Sequence, residues 1–174
     1  MQAQTAAKAA VADYVKVADY TAEAAAEIAA IVDQAKKDIT AAKTVDEVKA
    51  IEAAAKAEID TIETAAEEAE IAAIEAAKFK ARSKMTKLNG KKAIKITWNV
   101  PEELNLDGYQ VFRSVKRYSG FGTKPIWTTA KTTYTNNKGL ESGNTYYYKV
   151  RGYKVVNDEL VYTEYSYKAW RTVE

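Results

Sequence analysis

Leu140-Glu-Ser-Gly-Asn-Thr-Tyr-Tyr-Tyr-Lys-Val-Arg-Gly152 is the stretch whose reading decides the fold. A Leu, a Gly three residues on and a Tyr three beyond that read as a tight turn entering a strand. Side chains alternate across a strand, so Tyr146, Tyr148, Val150 and Gly152 share one face. Tyr147, Lys149, Arg151 and Tyr153 share the other. The first face predicts a core and the second a surface of aromatic and basic groups.

Working outward, strand signals recur at even spacing after Arg82. A short first strand is predicted over residues 85–88, followed by an Asn89-Gly90 turn. Ile94, Ile96, Trp98 and Val100 then form one apolar face, and Pro101 ends that strand. Asp107-Gly108 turns into a strand over 109–114. Segments 126–130 and 132–135 follow, and Asn157-Asp158 marks a hairpin before a last strand within 160–172. Seven short strands with regular turns predict an antiparallel β-sandwich of the immunoglobulin-like class.

Residues 82–174 resemble a fibronectin type III domain. Trp98 stands where that family has its core Trp on the second strand, and Gly108-Tyr109 matches the opening of the third. Leu140, Gly143 and Tyr146 match the E–F corner. The resemblance implies that the Tyr146 hydroxyl hydrogen-bonds back to the backbone. Ser142 departs from the Pro often found there, and no Arg-Gly-Asp is present, so integrin binding is not implied. The Val111-Phe-Arg-Ser114 and Tyr146-Tyr-Tyr-Lys-Val150 runs look most like the version in bacterial surface proteins and secreted glycosidases. That version is non-catalytic, although the fold itself hosts many roles.

The first eighty or so residues read differently. No Pro or Gly occurs between Ala3 and Ala81, and Ala dominates, with Ile, Val, Glu and Lys at helical spacing. Thr44-Val-Asp-Glu47 is a capping box, so one helix starts near Val45 and its predecessor ends near 41–43. Asp19 or Thr21 caps the middle helix, after an opening helix over about 3–16. Tyr20, Ala24, Ile28, Ile31, Ala35 and Ile39 form the middle stripe. Val48, Ile51, Ala55, Ile59, Ile62 and Ala66 form the next. The third helix is expected to run on past Thr64, with Thr64-Ala-Ala-Glu67 either a second cap or solvated surface. Ile71, Ile74 and Phe79 lie on another stripe that would dock on the β region. An antiparallel three-helix bundle over 1–81 and a sandwich over 82–174 are thus expected, joined without a Pro/Gly linker and so rigidly.

Segment 13–64 resembles the Ala-rich FIVAR and GA-like helical repeats of Gram-positive surface proteins, most clearly at Ala42-Lys-Thr-Val-Asp-Glu-Val48 leading to Ile59-Asp60. The resemblance implies a stalk, or in some members a binder of host or sugar ligands. A generic three-helix bundle is the competing reading.

The net charge of +2 hides an asymmetry. Residues 1–80 carry 9 Lys against 16 acids, and residues 81–174 carry 17 Lys/Arg against 8 acids. Helices collecting Glu and strands collecting Lys would explain this plainly; a basic module meeting an anionic polymer is the sharper alternative. The basic side chains are scattered, and no nucleic-acid partner is expected. There is no Cys and no His. Disulfides, thiol nucleophiles, the commonest general base and the commonest zinc ligand are therefore excluded. No apolar run approaches the ~20 residues that span a bilayer, and no signal peptide opens the chain. The start at Met1-Gln-Ala-Gln fits a mature chain with an added Met, an excised fragment or a cytoplasmic start alike.

Catalytic chemistry finds no support. Glu67-Glu68, Glu102-Glu103 and Asp158-Glu159 are adjacent acids that do not face one another or lie in solvated turns. Asn105, Asp107, Asn157 and Asp158 are too few for a calcium loop. No catalytic residue, metal ligand or cofactor site is assigned. Aromatic groups are the remaining candidates: Tyr118, Phe121, Tyr147, Tyr153, Tyr165 and Tyr167. They serve either as ligand-facing rings that stack on sugars or anchor a partner, or as cross-strand Tyr–Lys ladders, the commoner use of scattered surface rings. The resulting expectation is a non-enzymatic, extracellular or cell-wall-associated module of a Gram-positive surface protein, acting as spacer or adhesion element. A glycan, a cell-wall polymer or a host protein is the implied partner class. The alternative is a carbohydrate-binding accessory module of a secreted glycosidase.

Overall fold

A computed structural model describes residues 1–174, which divide into two compact units, Met1–Ala69 and Glu70–Glu174.

In the first unit, helices α1 (Gln2–Ala12), α2 (Ala22–Ala41) and α3 (Val45–Ile59) pack on one another. Their shared core is Ala7, Val11, Ile28, Ala35, Ile39, Val48, Ala55 and Ile59, with Tyr20, Ile31, Ile51 and Ile62 packed against it, so the predicted stripes point inward except at Ala66, which is exposed. Alanines at the contacts let the helices approach closely. Ile39 and Ile59 are fully buried, each worth roughly 1.5–3 kcal/mol of transfer free energy. Thr21 caps α2 by accepting from the Ala24 N–H at 3.3 Å. The capping box at α3 is complete: Thr44 Oγ1 accepts from the Glu47 N–H at 3.1 Å, and Glu47 Oε2 accepts from the Thr44 N–H at 3.1 Å.

The third helix does not run past Thr64, contrary to the sequence expectation. It ends at Ile59, and a separate helix α4 covers Ala65–Ala76. The reason is local. Thr61 Oγ1 donates to the Glu58 carbonyl, and Thr64 with Glu67 forms a second reciprocal cap that starts a new helix. The opening helix is also shorter than expected, giving way at Asp13 to a loop with a short 3-10 turn, Val17–Asp19.

The second unit is a sandwich of eight strands: β1 (Lys80–Leu88), β2 (Lys91–Asn99), β3 (Gly108–Ser114), β4 (Trp127–Thr129), β5 (Thr133–Asn136), β6 (Thr145–Val156), β7 (Glu159–Tyr162) and β8 (Ala169–Thr172). One antiparallel sheet runs β1-β2-β5, and the other runs β4-β3-β6 with β7 and β8 sharing the far edge of β6. This is the fibronectin type III-like arrangement. Ile94, Ile96, Trp98, Tyr109, Val111, Tyr146, Tyr148 and Val150 fill the core. The tyrosine corner forms as expected: the Glu141 N–H donates to the Tyr146 hydroxyl oxygen at 2.9 Å. Both hairpin turns require positive φ, supplied by Asn89-Gly90 (52° and 76°) and Asn157-Asp158 (50° and 62°).

Eight strands replace the expected seven because the last one is broken. Between β7 and β8, Thr163 and Ser166 turn inward and stand in for ladder groups. The Thr163 hydroxyl accepts from the Gly152 N–H at 2.9 Å, and the Ser166 hydroxyl accepts from the Val150 N–H at 3.0 Å. The boundary also moves. The sequence reading placed it between residues 81 and 82, whereas the compact units divide between Ala69 and Glu70. Ile74 is fully buried against Leu104 and Val156, and Phe79 joins the sandwich core, so this segment belongs to the β unit. The first strand starts at Lys80 rather than at 85, an edge strand whose polar residues gave a weak alternation.

Candidate functional site

The outer face of the β4-β3-β6 sheet gathers most of the predicted aromatic residues. β3 and β6 pair Phe112 with Lys149 and Gln110 with Arg151. Phe112 is on the outer face yet has no exposed surface. Its cover comes from the broken strand, because the inward turns at Thr163 and Ser166 leave Tyr165 standing edge-on to Phe112 at 5.3 Å and 86°.

Cations fill the spaces between these rings. Lys149 Nζ lies 3.4 Å from the Tyr165 ring centre and 5.1 Å from that of Phe121. The Arg151 guanidinium lies 3.8 Å over Tyr162, and its Nε donates to Gln110 Oε1 at 2.9 Å. Such contacts are worth about 0.5–2 kcal/mol each, more as water is excluded. They do not neutralise charge. The Lys149 ammonium forms no ion pair, since the protein's three pairs are Lys56–Glu52, Lys78–Glu164 and Lys154–Glu70. Burial, then Arg151 and Lys168, push its pKa below the usual lysine value.

Next to this cluster the loop after β3 folds over. The Ser114 hydroxyl donates to the Ser119 carbonyl at 2.6 Å, and Gly120 and Gly122 adopt φ of 74° and 69°. Tyr118 is thereby held out, 76% exposed, between Arg117 and Lys168. A cleft of about 420 Å³ results, with Tyr118, Phe121, Tyr165 and Tyr167 as its rings and Lys78, Lys149 and Lys168 as its charges. No acidic side chain lines it. Glu164, outside the lining, is held by Lys78 at 2.5 Å.

Four of the six predicted residues therefore meet. Tyr147 does not join them. It pairs with Trp170 across β6 and β8 and shares a smaller cleft with Trp170, Arg117 and Thr145. Tyr153 is turned to structural use. Its ring lies on Gly108, where an added Cβ would come within 2.7 Å of the Tyr153 hydroxyl, and it sits beside Tyr162.

Sequence reasoning missed two exposed tryptophans. Trp170 is 58% and Trp127 52% exposed. Trp127 stacks on Tyr134 with centres 5.4 Å apart and planes 19° apart. In both cases the signal was a large apolar residue on a short strand, which reads first as core. No helix is long and apolar enough to cross a membrane.

No family model matches the chain, and no curated protein matches it. Solved structures do. An Fn3-like protein from Clostridium thermocellum is 27% identical at a TM-score of 0.42, the match covering 57% of this chain and 94% of that one. A β-1,2-glucanase from Parabacteroides distasonis is 22% identical at a TM-score of 0.42, over 57% of this chain and 12% of the enzyme. The M60 catalytic domain of Clostridium perfringens ZmpC, in complex with the sialyl T antigen, is 14% identical at a TM-score of 0.28. That match covers 94% of this chain and 35% of that domain's chain. The chain thus spans only a small part of the last two structures.

Proposed function

We propose that this chain is a non-enzymatic extracellular module, in which a helical spacer accompanies a β unit that adheres to an anionic surface polymer. The observation that carries the reading is the cluster of Lys149, Lys168 and Arg151 around the rings of the outer-face cleft, with no carboxylate on its lining. Burial, and then the like charges of Arg151 and Lys168, lower the affinity of Lys149 for its proton. A bound anion would reverse that cost, and the flanking rings of Tyr118 and Tyr167 would cover the apolar faces of a sugar or polyol repeat.

The test is a binding screen of the full chain at physiological salt against wall teichoic acid, acidic glycans, host matrix proteins and duplex DNA. Binding to an anionic wall polymer or glycan is expected, weakened by raised salt and by Tyr118→Ala and Lys168→Gln. No binding, or binding that both variants leave intact, contradicts the reading. A second reading is a carbohydrate-binding accessory module of a secreted glycosidase. It is favoured by the exposed Trp170 beside Tyr147. It predicts retention on neutral polysaccharide that is insensitive to salt and lost in Trp170→Ala.

A further inference from the structure

We propose that a second cleft, between β4 and β5, is a binding site for an acidic sugar, with the Trp127 indole as its platform. It shares no lining residue with the outer-face cleft, so the two readings stand or fall separately.

The cleft opens where the two sheets end side by side, β4 being the last strand of one and β5 the last of the other. It measures about 660 Å³. Its floor is apolar. Trp127 is half-exposed and rests on the ring of Tyr134, which is itself half-buried against the sandwich core. One indole face is braced from below, and the ring is fixed without being buried. Ile126 and Leu88, 38% and 37% exposed, add apolar surface to the lining. An apolar surface of this size, held rigid and left open, is what a sugar's C–H face stacks on.

The walls are polar and of one sign. Thr129, Thr133 and Thr135 place hydroxyl-bearing side chains along the two edge strands. Every charged side chain on the lining is a cation: Arg113, Lys131 and Lys138. None of them belongs to the protein's three ion pairs. Arg113 is also positioned in advance. Its Nη1 donates to the carbonyls of Lys138 at 2.7 Å and Gly139 at 3.3 Å, while its Nε and Nη2 take no protein acceptor. A guanidinium fixed in this way presents a fork that matches a carboxylate.

The two features select one ligand class together. A neutral sugar would use the platform and leave three cations unused. A simple anion would use the cations and leave the platform bare. A hexose ring carrying a carboxylate uses both.

The experiment is an NMR titration of the full chain with hyaluronan tetrasaccharide and tri-galacturonate, and with cellotetraose as the neutral control. It follows the indole N–H signals of Trp98, Trp127 and Trp170, assigned with Trp127→Phe. A uronate probe is expected to move the Trp127 signal selectively. Trp127→Ala, or the paired Lys131→Gln and Lys138→Gln, is expected to weaken binding by about tenfold or more. The paired variant leaves the platform intact, and an unchanged Trp98 signal reports an intact core. The proposal is overturned if neither uronate probe moves Trp127, if cellotetraose moves it equally, or if the response falls on Trp170 instead.

Discussion

Asn136 donates its side-chain N–H to the Tyr148 hydroxyl oxygen at 2.8 Å, inside the core and between strands of different sheets. Both residues are buried, at 2% and 0% exposure. Asn136 Oδ1 meanwhile accepts from the Lys138 N–H at 3.1 Å, so one amide ties the sheets together and starts the turn after β5. Asn136→Ala orphans both partners and is expected to cost about 1–3 kcal/mol. Tyr148→Phe leaves only the amide unpaired and is expected to cost less, with the double variant below the sum. Urea unfolding followed by tryptophan fluorescence measures this cleanly, because Trp98, Trp127 and Trp170 all lie in the β unit.

The same hydroxyl makes the β unit sensitive to alkali. Burial raises the Tyr148 pKa from 10.0 to about 12. Above pH 10 the unfolded chain gives up this proton while the folded chain keeps it, so the unfolded state binds fewer protons and stability falls as pH rises. The loss runs from about pH 10 to about pH 12, and below that window the contribution is complete. Tyr109 and Tyr134, also raised by burial, add to the slope. Tyr148→Phe is expected to flatten the decline of the fluorescence-detected midpoint over this range, while lowering stability at neutral pH.

The corner hydrogen bond has its own signature. Tyr146→Phe removes the acceptor of the Glu141 N–H but keeps the ring under the Arg113 guanidinium, 5.2 Å away. A loss of about 1–2 kcal/mol is expected, read as a lower urea midpoint at unchanged slope.

In the helical unit the capping box is the sensitive point. Thr44→Ala removes the acceptor of the Glu47 N–H and is expected to cost about 1 kcal/mol. Backbone N–H groups of Lys43 and Thr44 bonded to Glu47 hold its carboxyl below the usual range. The stabilisation is thus present above the ordinary Glu pKa and disappears as pH falls through the lowered one. Far-UV circular dichroism should show Thr44→Ala shifting the helical transition without moving the tryptophan transition.

Much of this was legible because local chemistry and global fold agree. The alternation in Tyr146–Gly152, the two Asn-led turns and the Thr44–Glu47 box each specify a geometry that the structure keeps. What escaped the sequence depended on partners far along the chain. Phe112 is buried on an outer face only because Tyr165 reaches over it, and Tyr165 does so only because Thr163 and Ser166 break the strand. Alternation cannot see a strand whose hydroxyls replace ladder groups. Trp127 is open because β4 ends its sheet, a fact of topology rather than composition. The stripe of Ile71, Ile74 and Phe79 docks on the β region as its spacing predicts, but how far this draws the chain into the β unit depends on Leu104 and Val156, the distant burial partners of Ile74.

The most direct measurement of the central claim is the Lys149 pKa, followed by side-chain carbon NMR with and without wall teichoic acid. In the free chain the value should lie below that of an ordinary lysine, for the reasons given by its neighbours. Bound polymer should raise it, because the anion offsets the repulsion from Arg151 and Lys168, and Lys168→Gln should raise the free value in the same direction. A Lys149 that titrates as an ordinary lysine, or one whose pKa does not move while polymer binds, would contradict the account.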